Sequence, residues 1–305
     1  MRIGFAVPQY GVFADPGLIT EVSRDLEDMG YDSLWAGDRV IGPLSPSDPY
    51  PSVDGVMPPQ YATCFDPLSA LTLAALATRR VRLGTSTLNA LWQPPIMLAR
   101  SLTSLDLLSD GRLDVGIGLG WLRDEYTAVG VPWEHRGARL EETLDLMEKL
   151  WTSEVVEHDG PRWTVPPSHV GLKPRQKPRP PILLGGFSPG ALERVGRRAD
   201  GWLGAAMPLP YLTALWGMAQ AAAEKAGRDP SSLRLVLRAN TEVTDRPAGA
   251  DRAPATGTVP QICEYLRTTA DAGADEVFID PQTTTSSRAE LLDTAEAFIT
   301  ELRTP

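Results

Sequence analysis

The stretch PPILLGGFSPGALERVGRRADGW, residues 180–202, carries one strand–helix–strand step of the chain. Its apolar run reads as a strand over 181–185, and two glycines turn the backbone. Ser188 then caps a helix over 189–199, with Pro189 at the first helical position. The next strand opens at residue 201. Strands that alternate with helices in this order predict a parallel sheet. The junction also poses a chemical question. Gly185-Gly186 is either a tight turn closed by Ser188, or a cradle where free backbone N–H groups and the helix dipole face a phosphate. This stretch alone leaves both readings open.

The same alternation runs through the rest of the 305 residues. Strands are predicted near 2–8, 33–37, 81–88, 112–119, 181–185, 201–205, 233–239 and 275–280. Helices are predicted near 16–29, 66–78, 95–109, 134–151, 189–199, 209–226, 258–272 and 288–303. Leu140, Leu144, Met147 and Trp151 fall at a spacing that buries one face of the fourth helix. Eight strands, each followed by a helix, predict a (β/α)8 TIM barrel, α/β in class, as a single domain over 1–305. A doubly wound open sheet would need fewer strands or a domain break, and no linker isolates a half. Two excursions interrupt the pattern. Residues 39–65 are proline-rich and follow strand two. Residues 152–180 lie between helix four and strand five and contain a hairpin, EVVEHDGPRWTV, turning at Asp159-Gly160. Loops of such length are usually functional. Barrel chemistry gathers at the C-terminal ends of strands, which selects Gln9, Asp38, Arg39, Ser86, Thr87, Gly118–Trp121 and Gly185–Ser188.

Composition narrows the function classes. With 42% hydrophobic and 22% charged residues the chain reads as an ordinary globular protein, and its net charge of −10 disfavours nucleic acid and anionic membranes as partners. No run approaches a membrane span, and MRIGFAVPQYG reads as a first strand rather than a signal peptide. Cys64 and Cys263 have no ligand spacing and fit a cytoplasmic location. His135, His158 and His169 are scattered, so no metal site is expected. GIGLG, residues 116–120, lacks the GxGxxG spacing of a dinucleotide loop. Asp38 reads equally as an active-site acid or a turn residue. In GTSTLNALWQPP, residues 84–95, small hydroxyl side chains would let a flat ring lie against the backbone. Trp92 and Trp121 would frame that ring or belong to the core.

Five segments in order, GFAVPQYG, DSLWAGDRV, RVRLGTSTL, SDGRLDVGIGLGWLRDEYTAVGVPWEHRGARLEETLDLMEKLW and PPILLGGFSPGALERVGRRADGW, resemble the bacterial-luciferase-like superfamily of barrel oxidoreductases. Within it the chain resembles the coenzyme F420-dependent branch, over essentially its full length. The resemblance implies a cofactor across the C-terminal mouth of the barrel. Its phosphate would meet Gly185, Gly186, Phe187 and Ser188. A non-prolyl cis peptide would fall at Ser86-Thr87 behind the ring, with the Gly118-Leu119-Gly120 turn close by. Asp38 would contact the polar edge of the ring, and Asp124 would add a polar contact.

Two departures carry information. Many relatives read Asp-His where this chain reads Asp38-Arg39, and sugar-phosphate dehydrogenases of this branch carry glutamate where it has Trp121. Arginine does not accept a proton near neutrality but serves as a fixed positive charge. With Asp38 and Arg39 as catalytic residues, the expected chemistry is reduction of an activated C=C, C=N or C=O group by hydride from reduced F420. The alternative is an FMN-dependent monooxygenase; a cofactor-binding relative without turnover is the non-enzyme reading. The segment GLGWLRDEY…GVPWEHRGAR and the arginine-rich composition side with F420. The expected partner is a small-molecule substrate, and a homodimer is the candidate assembly.

Overall fold

Strands buried on both faces must be covered inside and out, and the chain meets that demand by closing its sheet. A computed structural model describes every residue except Val53 and Pro305. The barrel strands are β1 (Arg2–Ala6), β2 (Ser33–Ala36), β3 (Arg82–Thr85), β4 (Leu113–Gly118), β5 (Ile182–Gly185), β6 (Gly201–Ala205), β7 (Arg234–Asn240) and β8 (Glu276–Asp280). All are parallel neighbours in chain order. β8 pairs with β1, and β3 pairs with β4 at Leu83–Leu113, so the circle closes as predicted. The outer helices are α1 (Pro16–Asp28), α2 (Pro67–Ala77), α3 (Pro95–Leu108), α4 (Arg136–Thr152), α5 (Pro189–Arg198), α6 (Leu209–Lys225), α7 (Val259–Asp271) and α8 (Arg288–Arg303). Prolines in the first turn and side-chain caps from Asp15, Asp66, Ser188 and Ser287 fix where several of them begin.

The barrel interior is layered. At its N-terminal end, fully buried Asp114 takes Arg82 at 2.7 Å and Arg234 at 2.9 Å, and fully buried Glu276 takes Arg2 at 2.8 Å. Hydrogen bonds from Arg82 and the Arg234 charge hold the Asp114 carboxyl below its usual range despite its burial. Above this layer, Trp35 stacks on Phe278 at 5.1 Å, beside Leu183, Leu203 and Val236. A Cβ at Gly84 would lie 2.2 Å from the Trp35 ring, so glycine there makes room for the indole. These two layers plug the barrel and leave its C-terminal mouth open to chemistry.

Two local expectations are corrected, and two short elements add to them. The strand expected over 81–88 ends at Thr85; the Ser86-Thr87 peptide is cis, as the resemblance implied, and pairing resumes at Leu88–Asn89. The hairpin extends to Val155–Asp159 and Thr164–His169, with Asp159 paired to Thr164, so its turn spans four residues from Gly160. A short helix, Arg123–Ala128, was not foreseen, because six residues are too few to show a helical period. Nor was the parallel pair Glu242–Val243 with Thr256–Gly257, whose strands are two residues long.

Candidate functional site

A cavity of about 620 Å³ opens at the C-terminal mouth. Of the sequence-predicted site residues, all but Gln9 and Asp124 line it, among them Asp38, Arg39, Ser86, Thr87, Gly118, Leu119, Gly120, Gly185, Gly186, Phe187 and Ser188. They arrive from the ends of β2, β3, β4 and β5. Gln9 lies beneath the mouth instead. Its amide donates to the Gly37 carbonyl at 2.8 Å and accepts the Gly37 N–H at 2.7 Å, binding the ends of β1 and β2 together.

The floor is shaped by close backbone approach. The Thr85 hydroxyl accepts the Gly116 N–H at 2.9 Å and donates to the Gly116 carbonyl at 2.8 Å. A Cβ at Gly118 would fall 2.3 Å from Thr87 Oγ1, and one at Gly185 would crowd Thr87 Cγ2 at 3.2 Å. Only glycine leaves this floor flat. Gly186 sits at φ +126°, a conformation that side chains disfavour, and Ser188 caps α5 as expected.

Behind the floor, Arg238 Nη1 donates to the Ser86 carbonyl at 3.0 Å and Nη2 meets Asp280 at 2.5 Å. Asp280 also accepts the Gln282 amide at 3.0 Å, and Gln282 in turn accepts the Gln9 N–H at 2.7 Å. Burial alone would lower the Arg238 pKa, but the Asp280 charge raises it above its usual value.

On the β2 side, burial pushes the Asp38 carboxyl up to about 7, and nearby Glu125 and Asp66 push the same way. The Asn89 N–H, donated to Asp38 at 3.1 Å, offsets only part of this. Arg39 pairs not with Asp38 but with Glu125, at 2.7 Å, and its guanidinium lies 5.3 Å from the Tyr61 ring and 5.0 Å from that of Trp121. The Asp124 side chain holds the proline-rich loop, accepting the Ser47 N–H at 2.9 Å and hydroxyl at 2.6 Å. It is outside the cavity lining, and its neighbour Glu125 is the acid that faces in.

Sequence reasoning missed Glu125, Arg136, Arg194 and Arg238 on this wall. The inward alternation Arg234, Val236, Arg238 along β7 could have found the last. Arg194 sits well along α5 and carries no local signal. Among the described residues, Arg136 makes no ion pair; it stacks on Trp133 at 3.6 Å, whereas Arg194 is held by Glu141 at 2.7 Å. The donors Trp92 Nε1 and Arg238 Nε are buried at the cavity wall without a protein acceptor. A flat glycine floor, free donors and an unpaired cation near a helix N-terminus fit a planar, acceptor-rich cofactor with an anionic tail. No metal-binding cluster and no helix long and apolar enough to cross a membrane occurs among the described residues.

A family model described as luciferase-like monooxygenase matches residues 5–295. The chain is 31% identical over 242 residues to F420-dependent glucose-6-phosphate dehydrogenase from Kineococcus radiotolerans, covering 77% of this chain and 66% of that one. It is 32% identical over 212 residues to the phthiodiolone/phenolphthiodiolone dimycocerosates ketoreductase of Mycobacterium kansasii, covering 67% and 57%. The chain thus spans less than two thirds of the length of these curated relatives. The crystal structure of a monooxygenase from Streptomyces bottropensis superposes with a TM-score of 0.81 at 22% identity, over 99% of this chain and 98% of that one.

Proposed function

Because the chain belongs to the luciferase-like monooxygenase family, we propose that it is an F420-dependent oxidoreductase reducing an activated C=O, C=C or C=N group of a small organic substrate. One observation carries this reading: Asp38, held near neutrality at about 7, stands beside Arg39, which stays charged and cannot act as a base. Near neutral pH such a carboxyl is partly protonated, so in the reductive direction it can give the substrate its proton. The name of the ketoreductase relative supports the reductive direction, and that of the F420-dependent dehydrogenase supports the cofactor.

In this account Gly185, Gly186, Phe187 and Ser188 receive the anionic group through backbone N–H donors, and Arg136 adds charge. Thr87 and the Gly118–Gly120 turn give the ring a flat seat. The chemistry such a seat would draw from reduced F420, once bound, is a hydride. Asp38 delivers the accompanying proton to the substrate atom that gains negative charge, so the substrate gains two electrons and two hydrogens in all. Arg39 steadies developing negative charge on that atom with the guanidinium hydrogens that Glu125 does not use. The aromatic wall excludes water from the transfer.

Arg136 favours a second reading, because an unpaired cation also suits the phosphomonoester of FMN. The two are separated by turnover. Anaerobic oxidation of reduced F420 in the presence of 2-cyclohexen-1-one or an aryl ketone supports the proposal. Oxygen uptake with reduced FMN, and none of that F420 oxidation, would overturn it.

A further inference from the structure

The cations at the mouth are not equally available. Arg39 is neutralised by Glu125 at 2.7 Å and Arg238 by Asp280 at 2.5 Å. The lining arginine without an ion pair among the described residues, Arg136, opens α4 and lines the same cavity as the glycine turn and Arg194. On the β1–β2 side the wall is aromatic. Tyr10 meets Tyr61 edge-on at 4.8 Å, Tyr61 meets Tyr50 at 5.8 Å, and Tyr50 meets Trp121 at 5.5 Å. The Tyr50 and Tyr61 hydroxyls lie 3.3 Å apart and share one hydrogen bond. The Arg39 guanidinium stacks into the same wall between Tyr61 and Trp121.

Such a surface presents ring faces and edges with no net charge. A phosphorylated substrate, carrying full charge, would find there only Arg39, whose charge Glu125 already balances, and it would lose its hydration for little in return. A planar, uncharged ring system would instead gain apolar burial and edge-to-face contacts. We propose that the β1–β2 side of the cavity is a subsite for an uncharged, planar aromatic carbonyl compound, and that it discriminates against phosphorylated substrates. This deepens the functional reading above and rests on it for the assignment of that side to substrate.

Calorimetric titration with 2-acetylnaphthalene and 2-naphthyl phosphate, with and without F420, tests the subsite by binding alone. With F420 bound and the glycine turn filled, the neutral ketone should bind at least tenfold tighter than the phosphate ester. Trp121→Ala should weaken the ketone at least tenfold, about 1.4 kcal/mol. Glu125→Gln should unmask the Arg39 charge and tighten 2-naphthyl phosphate at least tenfold. Equal or tighter binding of the phosphate ester by the F420-saturated protein would overturn the subsite, as would unchanged ketone affinity in Trp121→Ala. Displacement of the ketone by F420 would also overturn it, because the ring would then occupy the cofactor's half. Should Glu125→Gln fail to fold, the Trp121 arm still decides. Loss of F420 binding with the neutral preference intact would instead count against the cofactor assignment alone.

Discussion

Arg39 Nη1 donates to Glu125 Oε2 across 2.7 Å, and the Glu125 side chain is fully buried. The contact joins the loop after β2 to the short helix after β4, and Glu125 also accepts the Val40 N–H at 3.0 Å. Burial raises the Glu125 pKa, with Arg39 opposing the shift. Removing the cation would strand a buried carboxylate. Arg39→Ala should therefore destabilise the fold by about 3–5 kcal/mol in urea unfolding. Arg39→Ala with Glu125→Gln should recover more than half of that loss. Additive losses in the double variant would mean that the two side chains act independently.

Asp38 should set the pH profile. Its carboxyl pKa is raised from 3.8 to about 7, so the folded chain holds this proton more tightly than the unfolded chain. Stability from this group is therefore complete below the unfolded value and is lost as pH rises toward about 7. Asp38→Asn should gain stability relative to the unaltered protein across that window, by no more than about 4 kcal/mol at its upper end. Reductive kcat/KM should fall as pH rises through about 7, and Asp38→Asn should be slow and flat. A profile for the unaltered enzyme that stays level through neutrality would remove Asp38 as the proton donor.

Anion capture at the glycine turn is best probed through Arg136, because Gly186 cannot be changed cleanly. A Cβ on Gly186 would lie 2.7 Å from Ala191 Cβ at a φ of +126°, so Gly186→Val alters the backbone as well as the site. Arg136→Ala should weaken cofactor binding about tenfold and flatten its salt dependence, with little change in Tm. An unaltered affinity would remove Arg136 from the anion site.

At the other end of the barrel, Asp114→Asn should cost about 3–5 kcal/mol at neutral pH, because Arg82 and Arg234 would lose their shared counter-charge. The folded pKa of Asp114 is depressed, so its contribution holds above the unfolded value and fades as acid is added. The gap between variant and unaltered protein should therefore close toward low pH. A constant gap in acid denaturation would contradict the pairing.

The fold was legible because the period of strand and helix is written locally: eight apolar runs, each followed by a helical segment, several of them opened by a cap or a proline. Site residues at strand ends were legible for the same reason, since the barrel brings Asp38, Thr87, Gly118 and Gly185 to one mouth. Glu125 and Arg238 were not, because their importance lies in partners 86 and 42 residues distant, Arg39 and Asp280. Asp124 and Glu125 stand side by side in sequence, and only the direction of the short helix sends one to Ser47 and the other to Arg39.

The most direct measurement is a pair of fluorescence titrations of the purified protein, one with F420 and one with FMN, under the same salt and pH. The account predicts saturable quenching by F420 at one site per chain, with FMN at least tenfold weaker. FMN binding equally or more tightly than F420 would contradict it.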